Sequence, residues 1–434
     1  MDRMANPVNP PRGMRDFLPA DKARREHALG IIRGVYRSHG FDEIETPVVE
    51  DHARLHSGLG GDNEKLSFSI LKRGIKSEAL AAAVDAGDPE QLADLGLRFD
   101  LTVPLARFYA THRAELSPVF RSIQIGPVWR AERPQKGRYR QFVQADIDII
   151  GESGVIAEIE LITATSQALA QLGLKDCVIR VNDRRILFGL LEHCGFTAEE
   201  QAGALITIDK LDKIGVDGVT DELSETNADA AAAMRDILTG VDAALEAGIP
   251  VTRDAISAVL PAGAAEDGVE SLVTLGEALD GGLPSGVEIR FDPTLVRGMG
   301  YYTGTIFEIA HPGSGSSVGG GGRYDGMIGR FLGQDVPAVG FSIGFERVVD
   351  LIEVDSNAGP EAVALVADTD VSLDDLMALK RALVADGLRV RLEKRQKNMK
   401  TLVARLEGEG FTRLANVRPG VTDVSELSWR NLGE

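Results

Sequence analysis

Apolar residues recur at helical spacing through residues 20–38, with Ala28, Leu29, Ile31, Ile32, Val35 and Tyr36 on one stripe and His39-Gly40 as a stop. This spacing predicts a helix. Four prolines in the first 20 residues hold the preceding backbone extended or turned. Residues 41–49 read as a strand, which Pro47 assigns to an edge or an interface. Between residues 95 and 151, short extended segments alternate with a helix over 103–113 and an arginine-rich turn at Pro134-Gln135-Lys136-Gly137, a pattern that predicts antiparallel strands. Further strands are expected at 178–181, 287–291, 301–309 and 339–343, and helices at 183–194 and 346–352. Past a linker at Asn357-Ala358-Gly359-Pro360, the pattern becomes strand 362–367, helix 373–385, strand 389–392 and helix 397–406. Such alternation predicts a small α/β domain.

At 434 residues the chain is long enough for two or three domains with proper cores. Its 44% hydrophobic and 26% charged residues belong to the globular class. Residues 199–280 stand apart as alanine-rich and helix-prone, with 18 acidic against 4 basic residues, and read as an inserted helical subdomain of net charge −14. Two cysteines, Cys177 and Cys194, form no CxxC pair, which fits a reducing, cytoplasmic setting. No apolar run approaches a membrane span, and the first residues carry no signal-peptide h-region, so neither secretion nor membrane insertion is expected.

The candidate chemistry lies in five stretches. Residues 130–140, RAERPQKGRYR, hold five cations against one acid. A solvated turn accounts for such a stretch in isolation, but here Phe142, Gln144, Asp146 and Asp148 follow on the returning strand. Gln144, Asp146 and Asp148 alternate in period two and share a face. Carboxylates stacked in this way need water, a cation or hydrogen-bond donors. Asp100 and Thr102 precede Pro104 on one face, with Thr102 also suited to capping the following helix. In residues 297–304, RGMGYYTG, glycines permit close approach of a ligand to the backbone. Tyr301 and Tyr302, read as strand neighbours, should point to opposite faces, one packing and one lining a cavity. The tract Gly319 to Gly322 reads as a linker or as a loop crossing a substrate, and the Arg323-Tyr324-Asp325 that follows favours the loop. Arg347 follows a buried strand, placed for a surface ion pair or for a polyphosphate. No Walker loop, dinucleotide fingerprint, HExxH or GxSxG is present, which argues against metal-centred and serine hydrolysis. A phosphate-binding site built from arginines, with carboxylates for an amine, remains.

These stretches together resemble the histidyl-tRNA synthetases, class II aminoacyl-tRNA synthetases, over nearly the whole chain. Residues 11–19, PRGMRDFLP, resemble the family's opening, and the strand with Pro47 is similar to motif 1, which builds a dimer interface. Residues 126–151 resemble motif 2 and 338–348 motif 3, while 297–308 and 320–326 resemble the two signatures specific to the histidine enzymes. The resemblance implies an α+β fold: a class II antiparallel sheet flanked by helices over residues 1–198 and 281–355, a helical insertion over 199–280, and a small, shortened α/β anticodon-binding-like domain over 360–434. It implies activation of histidine with ATP to histidyl-adenylate, transfer to the 3′ adenosine of tRNA(His), Mg²⁺ accompanying the ATP, a cytoplasmic location and a homodimer. By motif, Arg130 would hold the α-phosphate and the histidine carboxylate, and Arg347, with Arg138, the nucleotide. Phe142 would stack on adenine and Glu132 would accept from its amine. Asp100, Thr102 and Gln144 would take the α-amino group, Asp148 and Tyr302, with Tyr301, the imidazole side, and Arg297 the charge developing at the α-phosphate. A departure from the family pattern is Gly300, where an acidic residue usually precedes the tyrosine pair. The alternative is a non-catalytic, histidine-sensing paralogue resembling the regulatory subunit of ATP phosphoribosyltransferase. Such paralogues usually lose the arginines that Arg130, Arg297 and Arg347 represent here.

The formal charge of −19 argues against a uniformly basic nucleic-acid coat. Residues 130–140 nevertheless carry +4, and residues 380–405, with nine basic and two acidic residues, carry +7. A polyanion responds to local charge over a Debye length of roughly 8 Å, so the tRNA partner remains compatible with the total.

Overall fold

The computed structural model describes residues 8–56, 66–135, 137–263, 265–297, 300–353 and 361–433. The chain forms two units, one of Met1–Asp16 and Ala28–Ile352, the other of Phe17–His27 and Glu353–Glu434. The linker read at 357–360 lies outside the described residues, as do Lys136, Gly298 and Met299 of the candidate stretches.

The first unit is built on an eight-stranded sheet. Its strand order is Asp42–Glu43, Phe120–Trp129, Gln141–Ile150, Ala338–Gly344, Gly319–Arg323, Thr305–Ala310, Cys177–Asp183 and Val287–Phe291. Only the outermost pair at each edge is parallel, and the pairs between are antiparallel. In Gln141–Ile150 the last six residues are all buried, and helix Ile156–Gln171 packs against this strand and its neighbour Ala338–Gly344, which covers one face of the pair. A smaller sheet, ordered Val49–Asp51, Ala93–Leu97 and Phe68–Leu71, belongs to the same unit.

The acidic stretch forms helices Ala198–Ile208, Leu211–Ser224, Ala228–Ala247, Arg253–Val259 and Glu266–Leu279. Its alanines allow close helix contact, and its apolar stripe does not form a separate core. Leu205, Val219, Leu223, Met234 and Leu238 join one cluster with Leu187 and Leu191 of helix Arg184–Cys194, and this cluster extends to Leu105, Tyr109 and Met327.

Four local expectations change. Residues 41–49 are not one strand, because Asp42–Glu43 and Val49–Asp51 join different sheets. Between them, buried Arg98 donates Nη1 to the carbonyls of Thr46, at 2.8 Å, and Pro47, which turns those groups away from any ladder. The strand expected from residue 301 begins at Thr305, which leaves Tyr301 and Tyr302 in a turn. The glycine tract is neither linker nor loop but the strand Gly319–Arg323, paired on both sides inside the sheet. Thr102 is the first residue of helix Thr102–His112 and not its cap; Asp100 Oδ1 accepts from the Val103 N–H at 3.1 Å instead.

The second unit contains a four-stranded sheet ordered Arg389–Lys394, Ala362–Ala367, Arg413–Val417 and Trp429–Asn431, parallel except for the last strand. Its central strand is apolar at every position because both faces are covered. Val363 and Leu365 meet Leu376, Leu379 and Leu383 of helix Leu373–Ala385, whereas Ala362, Ala364 and Val366 meet Leu402 and Leu406 of helix Met399–Gly408.

Candidate active site

The carboxylate end of the site follows from strand register. Gln144, Asp146 and Asp148 pair with Gly126, Gln124 and Ser122 on one side and with Gly344, Ser342 and Gly340 on the other, which places their side chains in a row on one face. Only glycine fits opposite the last of them, since a Cβ on Gly340 would sit 2.0 Å from Asp148 Oδ1. The Tyr324 hydroxyl donates to that oxygen at 2.6 Å. Gln144 Nε2 donates to Asp146 Oδ2 at 3.3 Å and to Ser342 Oγ at 3.2 Å. Burial raises the Asp148 carboxyl to about 7; the Tyr324 hydroxyl works against that shift, and Asp100 adds to it. Asp146 is raised well above the usual carboxylate range, first by burial and then by Asp148. Three acids in one desolvated corner create a strong demand for positive charge and N–H donors.

Arginines mark the opposite end. Arg130 leaves strand Phe120–Trp129, donates Nε to the Phe99 carbonyl at 2.9 Å, and lies 5.1 Å from the Phe142 ring centroid. Arg138 meets Glu132 at 3.2 Å. Arg347, in helix Phe345–Leu351, donates to the carbonyls of Gly137 and Ser317. Burial, and next the nearby Arg138, hold its pKa below the usual arginine value, as expected where cations crowd together. Arg297 pairs with Glu308 at 2.7 Å, and the other oxygen of Glu308 takes Arg180, which also reaches Asp292 at 3.2 Å. The Arg297 guanidinium lies on the glycine strand, where a Cβ on Gly320 would be 2.8 Å from Cζ. The tetraglycine thus forms a floor on which large groups rest.

One cavity of about 910 Å³ joins the two ends. Asp100, Thr102, Arg130, Glu132, Arg138, Phe142, Gln144, Asp148, Arg297, Tyr301, Tyr302 and Arg347 all line it. Both tyrosines face it, contrary to the expected division between opposite faces, because they occupy a turn; their ring centroids are 4.8 Å apart and tilted. Tyr324 lies edge-on to Tyr301 at 6.0 Å.

Several contributors carry no sequence signal of their own. Tyr324 and Gly340 become meaningful only through their contact with Asp148, although the Arg-Tyr-Asp continuation of the glycine tract points toward the first. Arg180 and Glu308 lie 128 positions apart and meet across paired strands. Asp209, Asp212 and Lys213, from the inserted helices, also line the cavity, and nothing in their local sequence marks them.

A model of the family described as histidyl-tRNA synthetase matches residues 13–348. A histidine–tRNA ligase of Leifsonia xyli subsp. xyli (strain CTCB07) is 66% identical over 415 residues, covering 95% of this chain and 96% of that protein. A probable histidine–tRNA ligase of Tropheryma whipplei (strain Twist) is 44% identical over 411 residues, covering 93% and 94% of the two chains. The crystal structure of histidyl-tRNA synthetase from Nostoc sp. PCC 7120 superposes with a TM-score of 0.77 at 26% identity, covering 98% of this chain and 95% of that one.

Proposed function

We infer that this chain, which belongs to the histidyl-tRNA synthetase family, is a histidine–tRNA ligase that works through the cavity described above. The observation that carries the mechanism is the joining, in one cavity, of a carboxylate-lined end with an arginine-lined end. The first suits an amino acid bearing an ammonium and an imidazole N–H, the second a nucleoside polyphosphate.

In this reading Asp100, Thr102 and Gln144 take the α-amino group, and Asp148 accepts from the imidazole beside Tyr302 and Tyr301. A ligand without that N–H leaves a buried acceptor unpaired, which is the basis of selectivity. Arg130 spans the histidine carboxylate and the α-phosphate, Arg347 and Arg138 take the outer phosphates and the base, and Glu132 accepts from the adenine amine. Phe142, with Arg130 near one face, offers an aromatic surface to the adenine.

The histidine carboxylate attacks the α-phosphorus, the bond to the bridging oxygen breaks, and pyrophosphate leaves. A terminal ribose hydroxyl of the tRNA then attacks the activated carbonyl and AMP leaves. Because the first nucleophile is already ionised, alignment and charge neutralisation matter more than a strong base. In this reading Arg297, paired with Glu308, meets the charge that develops at the α-phosphate. Mg²⁺ is proposed to arrive with ATP as part of the substrate, bound to phosphate oxygens. The nearby carboxylates of Glu132 and Glu308 are engaged by arginines, which fits an ion carried mainly by the nucleotide.

A homodimer is proposed from the motif 1 resemblance around Pro47, and light scattering of the purified chain tests it. A cytoplasmic location follows from the same reading and from two free cysteines; among the described residues no helix is long and apolar enough to cross a membrane. The decisive experiment is histidine-dependent ATP–pyrophosphate exchange followed by tRNA charging. Histidine binding without exchange would favour the regulatory paralogue. Arg297→Ala should slow exchange by roughly 10²–10³-fold with a much smaller change in histidine affinity, and equal losses in both would contradict its role.

A further inference from the structure

Outside the cavity, His52, His56 and Glu90 come together, each offering a ligand atom within 4.8 Å of the others. The two histidines are spaced i, i+4 at the short helix His52–Leu55 and its cap, so their rings stack, with centroids 4.1 Å apart and planes 26° from parallel. Glu90 arrives from the 3₁₀ turn Pro89–Leu92, and its Oε2 is 2.6 Å from His52 Nε2.

The hydrogen bonds define which nitrogen of His56 is available. His56 Nδ1 lies 2.9 Å from the His52 carbonyl, which can only accept, so Nδ1 carries the proton. In the neutral ring Nε2 then holds the lone pair, facing the Ser67 hydroxyl at 2.8 Å. A backbone carbonyl that fixes one ring nitrogen so that the other can ligate is the usual outer support of a histidine metal ligand. His52 presents its Nε2 to a carboxylate, the arrangement a divalent ion would replace by moving the ring proton to Nδ1. Ser69 Oγ, 3.1 Å from His52 Nε2 and 3.3 Å from Glu90 Oε2, completes the surroundings.

We propose that His52, His56 and Glu90 form a binding site for a borderline divalent cation of the Zn²⁺ type. Two imidazoles and one carboxylate match its ligand preference and leave a fourth position for water. Three atoms within 4.8 Å of one another share a point roughly 2.8 Å from each, so reaching the ~2.0–2.2 Å of zinc bonds takes under about 1 Å of side-chain motion. Glu90, with 55% of its side chain exposed, can make that adjustment. The ion would tie the helical turn after Val49–Asp51 to the turn before Ala93–Leu97, two elements at the small sheet.

The test is titration of the chelator-treated full-length protein with Zn²⁺ alone, by calorimetry and by metal analysis after dialysis. The expected result is about one ion per chain and a rise in melting temperature with Zn²⁺. His56→Ala and Glu90→Gln should each weaken binding at least tenfold and abolish that rise. Glu90→Gln alters an exposed side chain, so the test does not depend on the histidine variant folding. No uptake above the chelated background, or uptake unchanged in both variants, overturns the proposal. Variants that lower the melting temperature without any metal uptake in the parent also overturn it, and identify the cluster as a purely hydrogen-bonded brace.

Discussion

The proposed selectivity and the pH response of the protein both turn on the Asp148 carboxyl. Its folded-state pKa of about 7 exceeds the ~3.9 of an unfolded aspartyl, so between those values the folded protein holds a proton that the unfolded chain has released. The stability of the empty protein should therefore fall as pH rises from about 4 to 7 through this group, and an imidazole N–H bound to the ionised carboxylate should offset the loss. Histidine affinity is expected to tighten between pH 6.5 and 8, and Asp148→Asn should bind weakly and lose the part of that dependence centred near 7, leaving the titrations of the ligand and of Asp146. Tyr324→Phe removes the hydroxyl that favours the carboxylate, so the midpoint of the affinity profile should move to higher pH, with affinity at pH 7 down several-fold. Calorimetry across this pH range checks both, and an unshifted midpoint in the tyrosine variant would remove Tyr324 from the account. Gln144, Asp146 and Asp148 were legible as a set because strand alternation is a local property. Tyr324 was not legible as the partner, because its distance from Asp148 is set by two intervening pairings, Asp148 with Gly340 and Gly340 with Gly322.

The elements that sequence reasoning read well are those whose burial is uniform or strictly periodic. The run Ala362–Ala367 is apolar throughout because a helix covers each face, and helix Leu373–Ala385 has an uninterrupted stripe. Residues 41–49 misled because a buried arginine about fifty positions away competes for their carbonyls. The tetraglycine misled for a different reason: glycine has low strand propensity, and its use here lies in what surrounds it. A Cβ on Gly321 would fall 1.9 Å from the Gly340 carbonyl oxygen, whereas one on Gly326, in helix Asp325–Leu332, would meet nothing within 4 Å. Gly321→Ala should therefore destabilise the first unit by about 1–3 kcal/mol or more through overpacking. Gly326→Ala should match or exceed the parent by up to ~1 kcal/mol, because alanine is the better helix former. Urea unfolding of the two variants distinguishes sheet packing from a general intolerance of the tract. Equal stability of Gly321→Ala and the parent would contradict the close strand approach.

For the whole molecule, the relevant quantity is the distribution of charge. Residues 199–280 carry −14 of a total of −19, while residues 380–405 carry +7. The basic stretch spans parts of helices Leu373–Ala385 and Met399–Gly408 and the edge strand Arg389–Lys394 of the second unit. Some of these cations are committed within the unit: Arg391 pairs with Glu409, Arg395 with Asp368 and Arg405 with Glu393. Lys397 and Lys400 are exposed, and Lys400 lies in the first turn of helix Met399–Gly408, where the helix dipole disfavours a cation. Neutralising them should therefore cost the fold little while weakening attraction for a polyanion. The double substitution Lys397→Ala, Lys400→Ala is expected to raise KM for tRNA and to reduce the slope of log KM against log salt by roughly 1–2, about 0.7–0.9 for each phosphate that the protein no longer neutralises. It should leave pyrophosphate exchange unchanged, because the cavity proposed for adenylate formation lies in the first unit. An equal fall in exchange would mean that the two lysines act on folding or on activation rather than on tRNA. An unchanged salt slope would exclude these two lysines from contact with tRNA.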